Sequence, residues 1–153
     1  MKKLLVVYHS KTGRNRKLAE AVCAGAHHTD ITTVDVQQVM AREAGPDHLL
    51  SADAVVLCTP ENFGYMSGAM KDFFDRTFYE VEGRLKPLPC CIVIGAGNDG
   101  SGALRAIRRI IGGYPMREVQ PEILVIGEPA EADLERCRSL GLAMAAGLDL
   151  GLW

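Results

Sequence analysis

No apolar run in this chain approaches the roughly 20 residues that a bilayer span requires, so no membrane-crossing helix is expected. Charge imbalance is slight as well: 17 Lys and Arg stand against 19 Asp and Glu, a net −2, which leaves no basic footprint for nucleic acid. The 5 cysteines are odd in number and include no C-x-x-C pair and no Cys/His ladder, so neither a disulfide framework nor a zinc site is indicated. They read as reduced thiols packed in a core. The opening Met1-Lys2-Lys3 and the apolar Leu4–Tyr8 break at once into His9-Ser10-Lys11-Thr12-Gly13-Arg14, too short a run for a signal peptide. A cytoplasmic protein without membrane contact is the expectation. Repeats, low-complexity tracts and linkers are missing too, and 153 residues suit one domain spanning 1–153.

What is present is an alternation of β-branched apolar runs with longer segments of helical period, the pattern of an α/β domain with a parallel sheet. Five strands can be marked, at Leu4–Tyr8, Ile31–Val36, Ala54–Thr59, Cys91–Gly95 and Glu122–Gly127. Helical period runs through Arg14–Ala26, Ser67–Tyr79, Ala103–Ile111 and Ala130–Leu148. In the second crossover, Gln37–Arg42 and Asp47–Leu50 read as short helical pieces around Gly45-Pro46. The first, third and fourth strands are continuously apolar, as strands buried on both faces must be. The second interleaves Thr32, Thr33 and Asp35, and the fifth follows Pro121, so both read as edges. A three-layer, doubly wound, five-stranded parallel sheet of order 2-1-3-4-5 follows, with right-handed crossovers. In such a sheet a ligand sits at the carboxyl ends of strands one and three, where the winding reverses.

Three loops lie at that end. Ser10-Lys11-Thr12-Gly13-Arg14-Asn15 runs into a helix start, where backbone N–H groups and the helix dipole suit a phosphate; the plainer alternative is that Ser10 or Thr12 caps the helix. Thr59-Pro60-Glu61-Asn62-Phe63-Gly64-Tyr65-Met66-Ser67-Gly68 is rich in glycine, amide and aromatic residues. Phe63 and Tyr65 offer a flat apolar surface to a ring system, unless they fold back onto the core. Gly95-Ala96-Gly97-Asn98-Asp99-Gly100-Ser101-Gly102 formally matches G-x-G-x-x-G, but it comes too late in the chain for a dinucleotide fingerprint. Its glycines read instead as close passage of the chain along a flat ligand edge. Asp99 reads as a solvated turn residue, His9 as a lining of the phosphate side, and His27, His28 and His48 as surface residues.

Other doubly wound phosphate proteins are excluded by what they would need. A receiver domain requires acids where this chain has His9-Ser10 and Thr59-Pro60, and no Walker A sequence occurs. No arginine closes a loop after Cys58, so that thiol reads as packing rather than as a nucleophile.

Taken together, Tyr8-His9-Ser10-Lys11-Thr12-Gly13, the segment Thr59 to Gly68 continuing through Ala69-Met70-Lys71-Asp72-Phe73-Phe74-Asp75-Arg76, and Gly95 to Gly102 resemble the flavodoxin-like FMN-binding family. The resemblance covers essentially the whole chain, and is to the short-chain branch that includes NAD(P)H-dependent FMN and quinone reductases. It implies that Ser10, Thr12, Gly13, Arg14 and Asn15 hold the FMN phosphate. Pro60, Glu61, Asn62, Phe63 and Gly64 would line one side of the isoalloxazine, and Ala96, Gly97 and Gly100 the other. The family usually has a threonine where this chain has Asn15. The implied function is an oxidoreductase passing electrons from NADH or NADPH through FMN to a quinone, flavin or similar acceptor, with no side chain obliged to act as acid or base. The alternatives are an electron-carrier flavodoxin serving a redox protein, and a binding domain that has lost FMN. Near-neutral charge and the absence of an aromatic in Gly97–Gly102 favour the enzyme over the carrier. A homodimer or larger assembly is a further expectation from the resemblance. The apolar tail Leu148-Asp149-Leu150-Gly151-Leu152-Trp153 would pack beneath its own sheet or cover a neighbouring subunit.

Overall fold

The central strands alternate their apolar side chains between two sides, which forces helices onto both faces of the sheet. The computed structural model describes residues 1–153. Its strands are β1 (Lys2–Tyr8), β2 (Val34–Met40), β3 (Ala54–Asn62), β4 (Tyr65–Met66), β5 (Leu88–Ala96), β6 (Met116–Glu118) and β7 (Ile123–Ile126). The helices are α1 (Arg14–Ala26), α2 (Pro46–Ser51), α3 (Gly68–Val81), α4 (Ser101–Ile111) and α5 (Glu131–Asp149). Leu4, Val6, Val56, Cys58, Cys91 and Val93 face a core closed by α1 and α5. Leu5, Val7, Val55, Leu57, Ile92 and Ile94 face the opposite core, which holds buried residues of α2, α3 and α4. Each core contains 22 buried residues, so neither face is subordinate.

The parallel order is β2-β1-β3-β5, with β6 and β7 both on the far side of β5. This is the expected doubly wound order, with seven strands rather than five. One added strand is β4, which pairs antiparallel with the end of β3 in a hairpin. The other arises because the fifth position is interrupted: Cys90 pairs Glu118 and Val93 pairs Ile123, so residues 119–122 stand opposite only 91–92. Pro121 lies in this interruption and has no N–H to give the ladder.

Helix α1 has the expected bounds, and the other long helices differ by one or two residues at an end. The helical reading of Gln37–Arg42 is overturned. Val34 to Met40 pair residue for residue with Lys2 to Tyr8, so the second strand starts three residues later and extends four residues further than its Ile31–Val36 reading. As an edge strand it divides its apolar side chains: Val36 packs into the α1/α5 core, Val39 and Ala41 into the other. That spacing imitates a helix.

Two glycines set the closeness of α1 and α5. A Cβ on Gly141 would fall inside the Val22 carbonyl oxygen, and one on Gly25 inside that of Arg138, so the two backbones meet directly. The terminal Trp153 folds back onto Gly147 and packs against the same core, while Leu150 and Leu152 remain exposed. No helix is long and apolar enough to cross a membrane.

Gly141→Val should therefore cost about 1–3 kcal/mol through overpacking. Thermal unfolding checks this, with Gly45→Ala, which adds a Cβ into open space, expected to stay within about 0.5 kcal/mol of the parent. All 5 cysteines are free and buried. Burial pushes Cys23 and Cys137 up to about 11 and Cys90 and Cys91 up to about 12, and it raises Cys58 further still. At pH 8 the native protein should show no fast-reacting thiol, and all 5 should titrate with a thiol reagent after denaturation.

Candidate functional site

Because β1 and β3 are neighbours whose crossovers leave in opposite directions, the loops that follow them diverge and open a crevice at the carboxyl edge. The loop after β1 reaches α1 through Gly13, whose φ of 94° lies in the left-handed region. The Ser10 hydroxyl accepts from the Gly13 N–H at 3.0 Å and so shapes the loop. No side chain caps α1, and its first turn carries no acid. This leaves a helix start with its positive dipole end free for an anion. Thr12 is exposed, and the exposed Arg14 pairs at 3.0 Å with Glu128, which Lys17 also meets at 2.9 Å.

Asn15 is placed differently from expectation. Its side chain is buried, with Oδ1 accepting from the Gly95 N–H at 3.1 Å and Nδ2 donating to the Gly95 carbonyl at 3.4 Å. The amide thus ties the first loop to the end of β5, and only the Asn15 backbone belongs to the helix start. The Cys58 thiol donates to the Asn15 carbonyl at 3.5 Å, consistent with a packing role.

The loop after β3 is the β3–β4 hairpin. Asn62 pairs with Tyr65, leaving Phe63 and Gly64 as a two-residue turn with φ of 52° and 69°. Positive φ at both positions is the requirement of a type I′ turn. Phe63 is the only non-glycine residue at positive φ in the protein, and its side chain is fully exposed. A solvated aromatic residue in a conformation that suits Asn or Gly is a strained feature at a strand end. Tyr65 is also exposed, so neither aromatic folds back onto the core. At the hairpin base the Thr59 hydroxyl accepts from the Ser67 N–H at 3.1 Å, and Ser67 in turn caps α3 by accepting from Met70.

Glu61 is likewise committed to structure. Its carboxylate accepts from the N–H groups of Gly100, Gly102 and Ala103 at 3.3, 2.9 and 3.2 Å, capping α4 across the crevice. Asp99 is exposed and accepts from the Ser101 N–H at 2.8 Å; those bonds hold its carboxyl below the usual range. Of the two helix starts led by a glycine at positive φ, α4 is therefore filled by carboxylates, and α1 is left open to an anion. Gly102 lies so near the Gly64 carbonyl that any Cβ would collide with it, which locks the hairpin against α4. Pro60 is half-buried, Asn62 and Gly97 are exposed, and Ala96 and Gly100 are buried beneath the third loop.

Two features escaped the sequence reading. The Arg76 guanidinium reaches back from α3 to donate to the carbonyls of Ala41 and Ala44 at 2.8 and 3.0 Å, fixing the turn after β2. The His9 Nδ1 atom is buried without a hydrogen-bond partner, and burial followed by the nearby Arg42 charge lowers the imidazole from its ordinary value. Only the helical period of α3, which puts Arg76 opposite the residues facing the core, hinted at the first.

The sequence pattern described as NADPH-dependent FMN reductase matches residues 3–130, which carry all three loops. The chain belongs to the NADPH-dependent FMN reductase family. A flavodoxin from Aquifex aeolicus is 31% identical, over 95% of this chain and 86% of that protein. An NAD(P)H dehydrogenase (quinone) from Acidithiobacillus ferrooxidans is 36% identical over a shorter stretch, 50% of this chain and 48% of its own. The solved structure of an archaeal flavodoxin superposes with a TM-score of 0.80 at 26% identity, covering 95% of this chain and 98% of the other.

Phe63→Asn should relieve the turn strain and raise stability by about 0.5–1 kcal/mol, a few degrees in Tm by calorimetry. A lower Tm would mean that the ring makes contacts the turn conformation conceals.

Proposed function

We propose that this family member binds FMN in the crevice and passes electrons from NAD(P)H to a quinone, flavin or similar small acceptor. The observation that carries this reading is the division of labour between the two helix starts. Glu61 and Asp99 occupy α4, and α1 is left uncapped, free of acids and led by Gly13. A cofactor with one phosphate and a flat ring fits that arrangement. Its phosphate would meet the N–H groups around Gly13, Arg14 and Asn15 with the Ser10 and Thr12 hydroxyls beside them. Phe63, on its rigid hairpin, would cover one side of the ring, and the Ala96–Gly97 chain would border the other.

Bound FMN would supply the chemistry, taking a hydride from the nicotinamide and returning two electrons to the acceptor. The protein's own part is to hold and orient. Asn15 and Glu61 fix the spacing of the three loops, so the ring would enter a preformed slot rather than order it on binding. Backbone N–H groups along the loops would donate to the polar edge of the ring, where negative charge grows on reduction. No titratable side chain is needed at the reacting atoms.

A second reading, an electron carrier for a redox protein, is favoured by the likeness to the Aquifex flavodoxin. The net charge of −2 weighs against it, since a carrier docking on basic partners benefits from an acidic surface. An anaerobic absorbance spectrum separates the two: rapid bleaching of bound flavin by NADPH or NADH supports the reductase, and reduction by dithionite alone supports the carrier. Gly13→Asp places a negative charge at the phosphate position and forces an unfavourable φ. It should abolish FMN retention while far-UV circular dichroism stays native, and undiminished flavin binding would sink the assignment of the first loop.

A further inference from the structure

The loop between β7 and α5 reaches the same edge of the sheet as the crevice. Its Gly127 N–H donates to the Ala96 carbonyl at 2.8 Å, which ties the loop to the end of β5. Pro129 follows Glu128 and restricts that residue to extended backbone. Glu128 therefore stands on a short turn anchored at both sides.

Its carboxylate crosses to α1. Oε2 accepts from Arg14 Nε at 3.0 Å and Oε1 from Lys17 Nζ at 2.9 Å, so one acid engages two cations of the helix's first turn. Arg16, the remaining cation of that turn, is paired with Glu20 at 2.9 Å. Lys17 foremost, and then Arg14, hold the Glu128 carboxyl below its usual range, so it is a carboxylate at neutral pH. At this helix start, where the flavin phosphate would sit, backbone N–H groups and the helix dipole attract an anion. The side-chain cations that would add to the attraction are already paired, and the carboxylate between two of them is a like charge. α1 brings no acid of its own to its first turn; Glu128 comes from more than 100 residues away.

We propose that Glu128 is a positioning residue that lowers the affinity of the helix start for the flavin phosphate, by keeping Arg14 and Lys17 as its own partners. The inference rests on the reading that FMN binds with its phosphate at α1. The phosphate is then gripped chiefly by backbone N–H groups and hydroxyls, and flavin exchanges with the free pool faster than it would from a site with two free cations.

The test is fluorescence titration of the flavin-free protein with FMN and with riboflavin, which lacks the phosphate, for the parent, Glu128→Gln, Arg14→Gln and the double variant. Glu128→Gln should bind FMN about threefold more tightly at low ionic strength, the scale of one exposed ion pair. Riboflavin affinity should not change, which also shows that the variant is folded. The gain should fade in about 0.5 M salt and shrink in the Arg14→Gln background, where a released cation is missing. An FMN affinity in Glu128→Gln equal to or below the parent's, an equal gain for riboflavin, or a gain undiminished in the double variant would each overturn the proposal. So would a lower Tm of Glu128→Gln with an unchanged FMN to riboflavin ratio, the result expected if the acid only pins α5 to α1. A parent that binds riboflavin as tightly as FMN would instead remove the phosphate placement itself, and the proposal with it.

Discussion

Burial of the central strands on both faces is the constraint from which the rest of this structure follows. Over Leu4–Tyr8, Ala54–Thr59 and Leu88–Ala96 the strands β1, β3 and β5 have nowhere to expose a polar group, because one set of side chains enters the α1/α5 core and the alternate set enters the other. Chemistry is displaced to the strand ends, where backbone groups run out of ladder partners and the chain must turn. The reversal of winding between β1 and β3 then decides which end can open. Position in the sheet, more than any single side chain, makes the crevice.

Loops at such an edge would be mobile if nothing joined them. Here two polar struts do so. Asn15 joins the first loop to the end of β5, and Glu61 joins the hairpin to the start of α4, so all three walls are connected without a ligand. Both struts are made to backbone N–H groups, which satisfies donors that a helix start or a strand end would otherwise leave bare. The same bonds explain why the second glycine-rich loop is no anion site, although its sequence is the more suggestive of the two.

The sequence made the layers legible because burial imposes a period, and a period is local. α1 could be bounded to the residue, and the edge positions of β2 and the fifth strand followed from Asp35 and Pro121. What it hid was non-local or divided. The apolar residues of β2 serve two cores, so their spacing mimicked a helix. Asn15 and Glu61 sit inside motifs that invite a ligand-contact reading, but their partners are 80 and about 40 residues away, and no window of sequence shows that. The hairpin turn was hidden for a different reason: Phe-Gly lacks the Asn-Gly or Asp-Gly signal, because the first turn position carries an aromatic against its conformational preference.

The direct backbone contact between α1 and α5 has a bearing on how the molecule is made. α5 is the last helix in the chain, and it supplies Cys137, Leu140, Met144 and Leu148 to a core whose other residues come from β1, α1, β3 and β5. On a ribosome, the face of the sheet built from α2, α3 and α4 can close while α5 is still in the exit tunnel; the opposite face cannot. Until the final helix emerges, the core around Leu18 and Val22 lacks Cys137, Leu140, Met144 and Leu148. The two halves of one sheet therefore mature at different times, and the interval between them is when the nascent chain has most need of a chaperone.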